Sequence, residues 1–177
     1  MNIYIALFRG INVGGNNLLP MTELAGILER AGCTSVRTYI QSGNAVFSTR
    51  KRDPKKIAEE IGAKILEVRG FRPKVMLLGL PELEQAIKNN PFQAAEGKAL
   101  HFFFLESVPK KPDLAALTAL EVESERFALE GNVFYLYTPD GFGRSKLAAK
   151  VERCLGVAGT ARNWNTVARL MTMAKPV

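Results

Sequence analysis

The spacing of apolar residues over the first 80 positions predicts elements in the order β-α-β-β-α-β. Runs rich in β-branched and aromatic residues indicate strands, and apolar residues that recur at helical spacing indicate two helices. Gly32 is placed to end the first helix, and Asp53 before Pro54 is placed to begin the second. The predicted elements are a strand over Asn2–Phe8, a helix over Met21–Arg30, a hairpin over Val36–Ser48 that turns at Ser42-Gly43-Asn44, a helix from Pro54 and a strand over Lys74–Leu80.

The second half of the chain shows the same order of apolar patterns. A Gly131-Asn132 pair between two aromatic runs predicts a second hairpin. The predicted elements are a strand over Leu100–Leu105, a helix over Asp113–Leu120, strands over Phe127–Glu130 and Val133–Tyr137, a helix over Ser145–Leu155, a strand over Thr160–Trp164 and a last helix over Thr166–Ala174.

The shared element order and the shared Gly-Asn turn dipeptide predict a tandem repeat. A split β-α-β order is that of a ferredoxin-like unit. We therefore predict an α+β protein made of two ferredoxin-like β-α-β-β-α-β units, each an antiparallel sheet with helices on one face. The first unit covers residues 1–80, a helical linker covers 81–97 and the second unit covers 98–177.

The composition indicates a soluble globular protein, since 47% of its 177 residues are hydrophobic. Its apolar runs fall far short of the roughly 20 residues of a membrane helix, and its first residues do not form a signal peptide. Cys33 and Cys154 have no metal or redox spacing, and a single histidine leaves zinc few ligands. We expect a cytoplasmic protein with no membrane partner, no metal and no cofactor.

The net charge of +7 is unevenly distributed along the chain. Residues 50–81 have a balance of +5 and residues 144–177 a balance of +6, whereas residues 82–130 have a balance of −4. Two basic segments that flank an acidic one make an anionic partner plausible, although a solvated lysine-rich surface has the same pattern.

A loop rich in glycine and asparagine, Arg9–Asn17, follows the first strand. The whole connection from Arg9 to Pro20 is about twice as long as its counterpart in the second half, Ser107–Pro112, and a strand-helix connection needs only a few residues. Glycines allow backbone N–H groups to turn inward, and the guanidinium of Arg9 suits a phosphate or a carboxylate. The alternative is a structural loop with asparagine turns. The candidate ligand residues here are Arg9, Asn12, Gly14 and Gly15, with Asn44 of the first hairpin.

Two segments of the second half are further candidates for binding an anion or a ring. Ser145 could cap a helix whose free N–H groups, with Lys146, face an anion; an ordinary capped turn is the alternative. Arg162, Asn163 and Trp164 could grip a base or ring, or Trp164 could anchor the last helix while Asn165 caps it. We expect Arg9 and Asn12 to line one cleft with at least one of these segments.

Catalytic groups are few in this sequence. His101 lies in an apolar strand without an identifiable cysteine or serine partner, which favours a packed histidine over a general base.

Aromatic residues on the strands suggest RNA binding, because ferredoxin-like sheets can present such rings to single-stranded RNA. The candidates for that are Tyr4, Phe47, Phe103 and Tyr135, although the sequence lacks the usual RNA-binding signature.

The chain resembles family 1697 of bacterial proteins that carry a domain of unknown function. The resemblance rests on Arg9–Gly15, Gln41–Asn44, Asn90–Phe92, Gly143–Lys146 and Thr160–Thr166, and it spans nearly the whole chain. The family often has a lysine soon after the paired glycines, where this sequence has Asn16-Asn17. The resemblance implies a cytoplasmic α+β protein of two similar halves and implies no activity. We therefore expect binding of a small anionic ligand that carries phosphate or carboxylate, with nucleic-acid binding as the alternative and an enzyme acting on an anionic metabolite third.

Overall fold

The computed structural model describes residues 1–93 and 96–175, which form two four-stranded antiparallel sheets and six α-helices. The α+β class predicted from the sequence is thus confirmed. The strands are β1 (Asn2–Arg9), β2 (Thr34–Tyr39), β3 (Asn44–Thr49), β4 (Lys74–Gly79), β5 (Leu100–Leu105), β6 (Arg126–Glu130), β7 (Val133–Tyr137) and β8 (Gly159–Asn163). The helices are α1 (Met21–Arg30), α2 (Pro54–Arg69), α3 (Leu80–Lys88), α4 (Leu114–Leu120), α5 (Val151–Leu155) and α6 (Trp164–Ala174).

The chain divides into two compact units. The first consists of Met1–Gln85 and the stretch from Arg169 onward, and the second consists of Ala86–Ala168. The first unit is therefore built from both ends of the sequence. Among residues 1–93 and 96–175, no helix combines the length and the apolar character that crossing a bilayer requires.

The sheet of the first unit has the strand order β2-β3-β1-β4. Side chains that alternate along β1 and β3 share one face of this sheet, and α1 and α2 bury their apolar stripes against it. Asp53 begins α2 by accepting hydrogen bonds from the N–H groups of Lys55 and Lys56, at 3.0 and 3.2 Å. The main buried residues of this core are Tyr4, Ala6, Phe8, Leu24, Ile27, Leu28, Ala45, Phe47, Ile57, Ile61 and Ile65.

Edge strand β2 is tied to the end of α6. The guanidinium of Arg37 on β2 donates a hydrogen bond to the carbonyl of Met173, which is 136 residues away in sequence. A cation suits this position, because the last carbonyls of a helix lack intrahelical partners and carry partial negative charge.

The turn of the first hairpin starts two residues earlier and ends one residue earlier than the predicted Ser42-Gly43-Asn44. Residues 40–43 form the turn, and Asn44 is already the first residue of β3, opposite Tyr39. Gly43 has φ +88°, and its carbonyl accepts from the N–H of Phe8 at 2.9 Å. A Cβ at Gly43 would lie 2.5 Å from Cδ1 of Ile11, so a contact with another loop sets the place of this glycine.

The sheet of the second unit has the order β6-β7-β5-β8. One of its faces packs against α4, α5 and the segment before α5. Asp113 begins α4 by accepting from the N–H of Ala116 at 2.9 Å, and Gly131, at φ +58°, helps form the two-residue turn between β6 and β7. The buried residues of this core are Phe103, Leu105, Leu117, Phe134, Leu136, Leu147, Val151 and Leu155.

The helix predicted over Ser145–Leu155 is wrong in its first part. The α-helix covers only Val151–Leu155, and it follows short 3₁₀ turns at Phe142–Arg144 and Ala148–Lys150. Lys150 has φ −113° and ψ −2°, which departs from regular helix geometry. Apolar spacing did not reveal this, because two successive helical turns bury the same apolar positions as one continuous helix.

Candidate functional site

The Gly/Asn-rich loop after β1 closes on itself as a small hairpin. Val13 and Asn16 form a bridge around Gly14 and Gly15, which have φ values of +58° and +76°. The N–H of Asn16 donates to the carbonyl of Val13 at 3.0 Å. Two consecutive positive φ angles are typical of the tight turns that suit twisted hairpins, which accounts for the paired glycines.

The side chain of Asn12 fastens this loop to its surroundings. Its Nδ2 donates to the carbonyls of Leu19 and Gln41, both at 2.9 Å, and its Oδ1 accepts from the N–H of Leu19 at 2.8 Å. The loop is therefore joined to the turn between β2 and β3. Because both polar atoms of this amide bind backbone, Asn12 shapes the loop, and its predicted contact with a ligand stays a prediction.

The tip of the loop faces solvent. Gly14 and Gly15 are both exposed, and an added Cβ at Gly15 would meet no atom within 4 Å. The backbone at the tip is therefore accessible from solvent, and the tip does not enclose a pocket.

Arg9 lies opposite a second cation in the sheet. In the register of β1 and β4, Arg9 pairs with Lys74, and both side chains are exposed. Cross-strand partners hold their Cβ atoms about 5 Å apart, so the two cations are close neighbours in the sheet. Sequence reasoning missed Lys74, since only the strand pairing reveals that it neighbours the first residue of the loop.

Asn44 lies behind the loop rather than at its surface. It is fully buried, and its Nδ2 donates to the carbonyl of Tyr39 at 3.1 Å. A buried amide needs such partners to offset its lost hydration. Asn44 thus holds the hairpin turn together, and its predicted ligand contact stays a prediction.

Ser145 and Lys146 lie in the second unit, on the turn before the Ala148–Lys150 segment. Ser145 is buried, and its Oγ accepts from the N–H of Ala148 at 3.0 Å. The prediction that Ser145 caps a helical turn is therefore consistent with its contacts. Lys146 is exposed to solvent.

Arg162, Asn163 and Trp164 lie where β8 passes into α6. Burial lowers the pKa of the half-buried Arg162 to about 10, so this side chain still carries its charge at neutral pH. Its guanidinium donates to the carbonyl of Ala161 at 2.8 Å. Trp164 stacks on Phe102 with ring centroids 5.8 Å apart. Trp164 therefore begins α6 as a packed residue.

The cap of α6 is Asn163 rather than the predicted Asn165. The Oδ1 of Asn163 accepts from the N–H of Thr166 at 3.0 Å. The difference follows from the helix starting at Trp164 instead of Thr166.

His101 on β5 is a packed histidine, as its apolar setting predicts. Its ring stacks on Phe142 with centroids 4.1 Å apart. Its Nδ1 is buried and has no hydrogen-bond partner among the described residues. Burial lowers the pKa of His101 to about 4, against a weak opposing effect of the Ala99 carbonyl, so the imidazole is neutral at pH 7.

The strand aromatics are not available to stack on RNA bases. Each of the four candidate rings is at most 8% exposed, and the hydroxyl of Tyr135 donates to the carbonyl of Ala86 at 2.6 Å. The buried rings are Tyr4, Phe47, Phe103 and Tyr135.

Within the two described stretches of chain, no three His, Cys, Asp or Glu side chains are grouped closely enough to hold a metal ion.

The chain is similar to a solved structure over nearly its whole length. This is a conserved bacterial protein, SP0830 from Streptococcus pneumoniae, which is 26% identical in sequence and superposes with a TM-score of 0.75. The similarity covers 98% of this chain and 99% of that one. No curated protein matches the chain.

Residues 1–135, well over half of the chain, match the model of one family. Neither that family nor the similar bacterial protein is described with a ligand or a reaction. The chain belongs to the family described as "Protein of unknown function (DUF1697)".

Proposed function

We propose that this protein binds a small anionic ligand, bearing phosphate or carboxylate, beside the loop that follows β1. The observation that carries the proposal is the cross-strand pair of exposed cations, Arg9 and Lys74. Both side chains can donate charge-assisted hydrogen bonds to phosphate or carboxylate, and such bonds are among the stronger ones in proteins. Gly14 and Gly15, which are both exposed, lie on the loop that follows Arg9.

A comparison with the second unit supports the same site. The N–H of Phe8 donates to the carbonyl of Gly43, and that of Leu105 donates to the carbonyl of Asn132, both at 2.9 Å. Phe8 and Leu105 therefore hold corresponding positions, and the residues after them are Arg9 and Glu106. Where the first unit has two facing cations, the second unit has an acidic residue.

The correspondence is part of a broader proposal about the fold. The two units are ferredoxin-like modules arranged in tandem along the chain. This interpretation is supported by their matching strand orders, β2-β3-β1-β4 and β6-β7-β5-β8. The protein works in the cytoplasm, which is consistent with Cys33 and Cys154 both being free thiols. A cleft that joins Arg9 with Ser145–Lys146 or Arg162–Asn163 stays a prediction.

Replacing either cation of the pair is expected to weaken anion binding. Arg9→Ala and Lys74→Ala should each lower the affinity for inorganic phosphate about tenfold, since a hydrogen bond to a charged group contributes roughly 1.5–3 kcal/mol. The measurement is a titration with phosphate at low ionic strength, followed by amide chemical shifts. Lys56→Ala is the matched control, because Lys56 is an exposed cation of the same unit on α2. Equal losses of affinity in all three variants would show that phosphate binding depends on net charge and not on the Arg9–Lys74 pair.

Nucleic-acid binding is the second candidate function, and a different basic surface favours it. Arg50, Arg52, Lys55 and Lys56 are all exposed around the start of α2. Acidic residues are usually favoured in the first turn of a helix, yet α2 has none there. Exposed cations at a helix start would suit the phosphates of a nucleic-acid backbone.

Removing two positive charges from α2 distinguishes nucleic-acid binding from binding of a small anion. If nucleic acid is the partner, the double variant Lys55→Ala/Lys56→Ala should lose about tenfold or more in affinity for mixed RNA at low salt, with a shallower salt dependence. Arg9→Ala should leave that affinity nearly unchanged. Gel-shift titrations over a salt series give both values. The opposite ranking of the variants would assign any nucleic-acid binding to the loop.

A further inference from the structure

The outer strands of the two hairpins, β2 and β6, lie at sheet edges that differ in regularity. The pairing of β2 with β3 shifts register between Thr34 and Arg37, where Ser35 has φ +52°. Such irregularities are one of the ways in which proteins protect an edge strand from pairing with another chain. On β6, by contrast, each residue of Arg126–Glu130 pairs with one residue of Val133–Tyr137. The edge at β6 is therefore a regular template for a further strand.

The backbone groups that β6 presents at this edge are those of Phe127 and Leu129. Glu130 and Val133 flank a two-residue turn, so they form a pair that exchanges N–H and C=O hydrogen bonds. Such pairs alternate with non-bonded ones along an antiparallel ladder. Ala128 therefore also bonds to β7, whereas the N–H and C=O groups of Phe127 and Leu129 point away from β7.

The sequence of β6 is complementary to itself in an antiparallel register. When two copies pair about a twofold axis at Ala128, Phe127 of one copy lies opposite Leu129 of the other, and the outward-pointing backbone groups of both residues meet. Phe127 and Leu129 are half-buried against the core of the second unit. Since paired residues of an antiparallel ladder share a face, these apolar side chains come together beside the two cores.

The two ends of β6 carry opposite charges, which suits the same register. Arg126 and Glu130 are both exposed, and the twofold pairing places each of them opposite the other type in the second copy. Arg126 also donates to the carbonyls of Glu123 and Glu125 and lies 3.8 Å from a carboxylate oxygen of Glu121. The pairing leaves those contacts in place, because it requires only that no like charges face each other across the ladder.

We propose that two copies of this protein associate through β6, so that the sheets of their second units join into one continuous sheet. A twofold interface uses the same surface on both copies, so that surface must complement itself. β6 meets this requirement in its outward backbone groups, its apolar pair and its charges. One short strand from each copy makes a small interface, so the dimer is weak and reversible. The inference is independent of the proposed anion site, which lies in the first unit.

Sedimentation equilibrium of the full-length protein, from micromolar to millimolar concentration, should show a monomer in equilibrium with a dimer. Amide hydrogen exchange should slow at Phe127 and Leu129 as the concentration rises. Exchange at Ala128 and Glu130 should change little, because their N–H groups already bond to β7. A protein that stays monomeric, or a dimer that leaves Phe127 and Leu129 unprotected, would show that the proposal is wrong.

A charge exchange on β6 tests the register of the pairing. Glu130→Lys should raise the dissociation constant of the dimer about tenfold, because it places a lysine opposite Arg126 at both ends of the paired strands. The double variant Arg126→Glu/Glu130→Lys should return the constant to near that of the unmodified protein. Glu67→Lys is the matched control, since Glu67 is an exposed carboxylate on α2 and the change in net charge is the same. Equal weakening by Glu130→Lys and Glu67→Lys would overturn the proposal.

A synthetic peptide of alternating valine and threonine tests the other occupant of such an edge, a strand of a different protein. If the protein is monomeric at every concentration and the peptide slows exchange at Phe127 and Leu129, β6 binds a foreign strand and the dimer proposal is replaced. Dissociation of the dimer as the peptide protects these two amides would support the proposal, because both partners would then compete for one edge.

Discussion

Replacing Gly43 with alanine is expected to lower the free energy of unfolding by about 3–5 kcal/mol, by the usual magnitudes of backbone strain and overpacking. Gly43 has φ +88°, where a residue with a Cβ is strained. The new methyl group would lie 2.5 Å from Cδ1 of Ile11 and 2.8 Å from Cβ of Phe8, and both of those residues are buried. Urea denaturation followed by far-UV circular dichroism measures the change.

Gly32 provides the matched control for this prediction. Its φ is +86°, nearly that of Gly43, but an added Cβ would meet nothing within 4 Å. Gly32→Ala should therefore cost only the backbone strain, about 1–2 kcal/mol. If both alanine variants lose the same stability, the contact with Ile11 and Phe8 has no energetic consequence. A smaller loss from Gly43→Ala in an Ile11→Ala background would locate the clash at Ile11.

Acidification from pH 6.5 to pH 4 is expected to remove about 3 kcal/mol of stability through His101 alone, since lowering a pKa by one corresponds to about 1.36 kcal/mol. Burial lowers the pKa of His101 in the folded protein to about 4, below its ordinary value of 6.5. The unfolded chain therefore binds an extra proton in this window, so stability is full above pH 6.5 and falls as the pH decreases. Denaturation midpoints across this range measure the loss.

His101→Phe isolates the contribution of this one side chain. Phenylalanine can keep the stack on Phe142, whose ring centroid lies 4.1 Å from that of His101, and it cannot take up a proton. Carboxylates titrate in the same window, but they do so in both proteins and cancel in the difference. The variant should lose less stability on acidification by the stated amount. Parallel pH profiles for the two proteins would show that His101 is not protonated on unfolding.

Elements with strong local signals were predicted almost to the residue. Helix α1 covers the predicted Met21–Arg30, and α2 begins at Pro54 after the Asp53 cap. Capping and helical periodicity depend on residues within a few positions of each other, so sequence alone records them.

Features that depend on distant contacts were not accessible in this way. The turn at residues 40–43 is positioned by Ile11, a residue of a different loop. Lys74 joins the candidate site only because β4 pairs with β1. Asn12 and Asn44 were predicted to contact a ligand, which stays a prediction; their hydrogen bonds to backbone carbonyls are properties of the folded loops that the sequence does not record.

The hydrogen bond from Arg37 to the carbonyl of Met173 has a consequence for synthesis on the ribosome. The first unit includes the stretch from Arg169 onward, so Met1–Gln85 stays incomplete while all of the second unit is translated. During that interval Arg37 lacks its acceptor on α6, and β2 is an edge strand whose open side can pair with other chains. We therefore expect the edge strand to be held least firmly, and the nascent chain to be most prone to aggregation, before α6 emerges and Arg37 gains its acceptor.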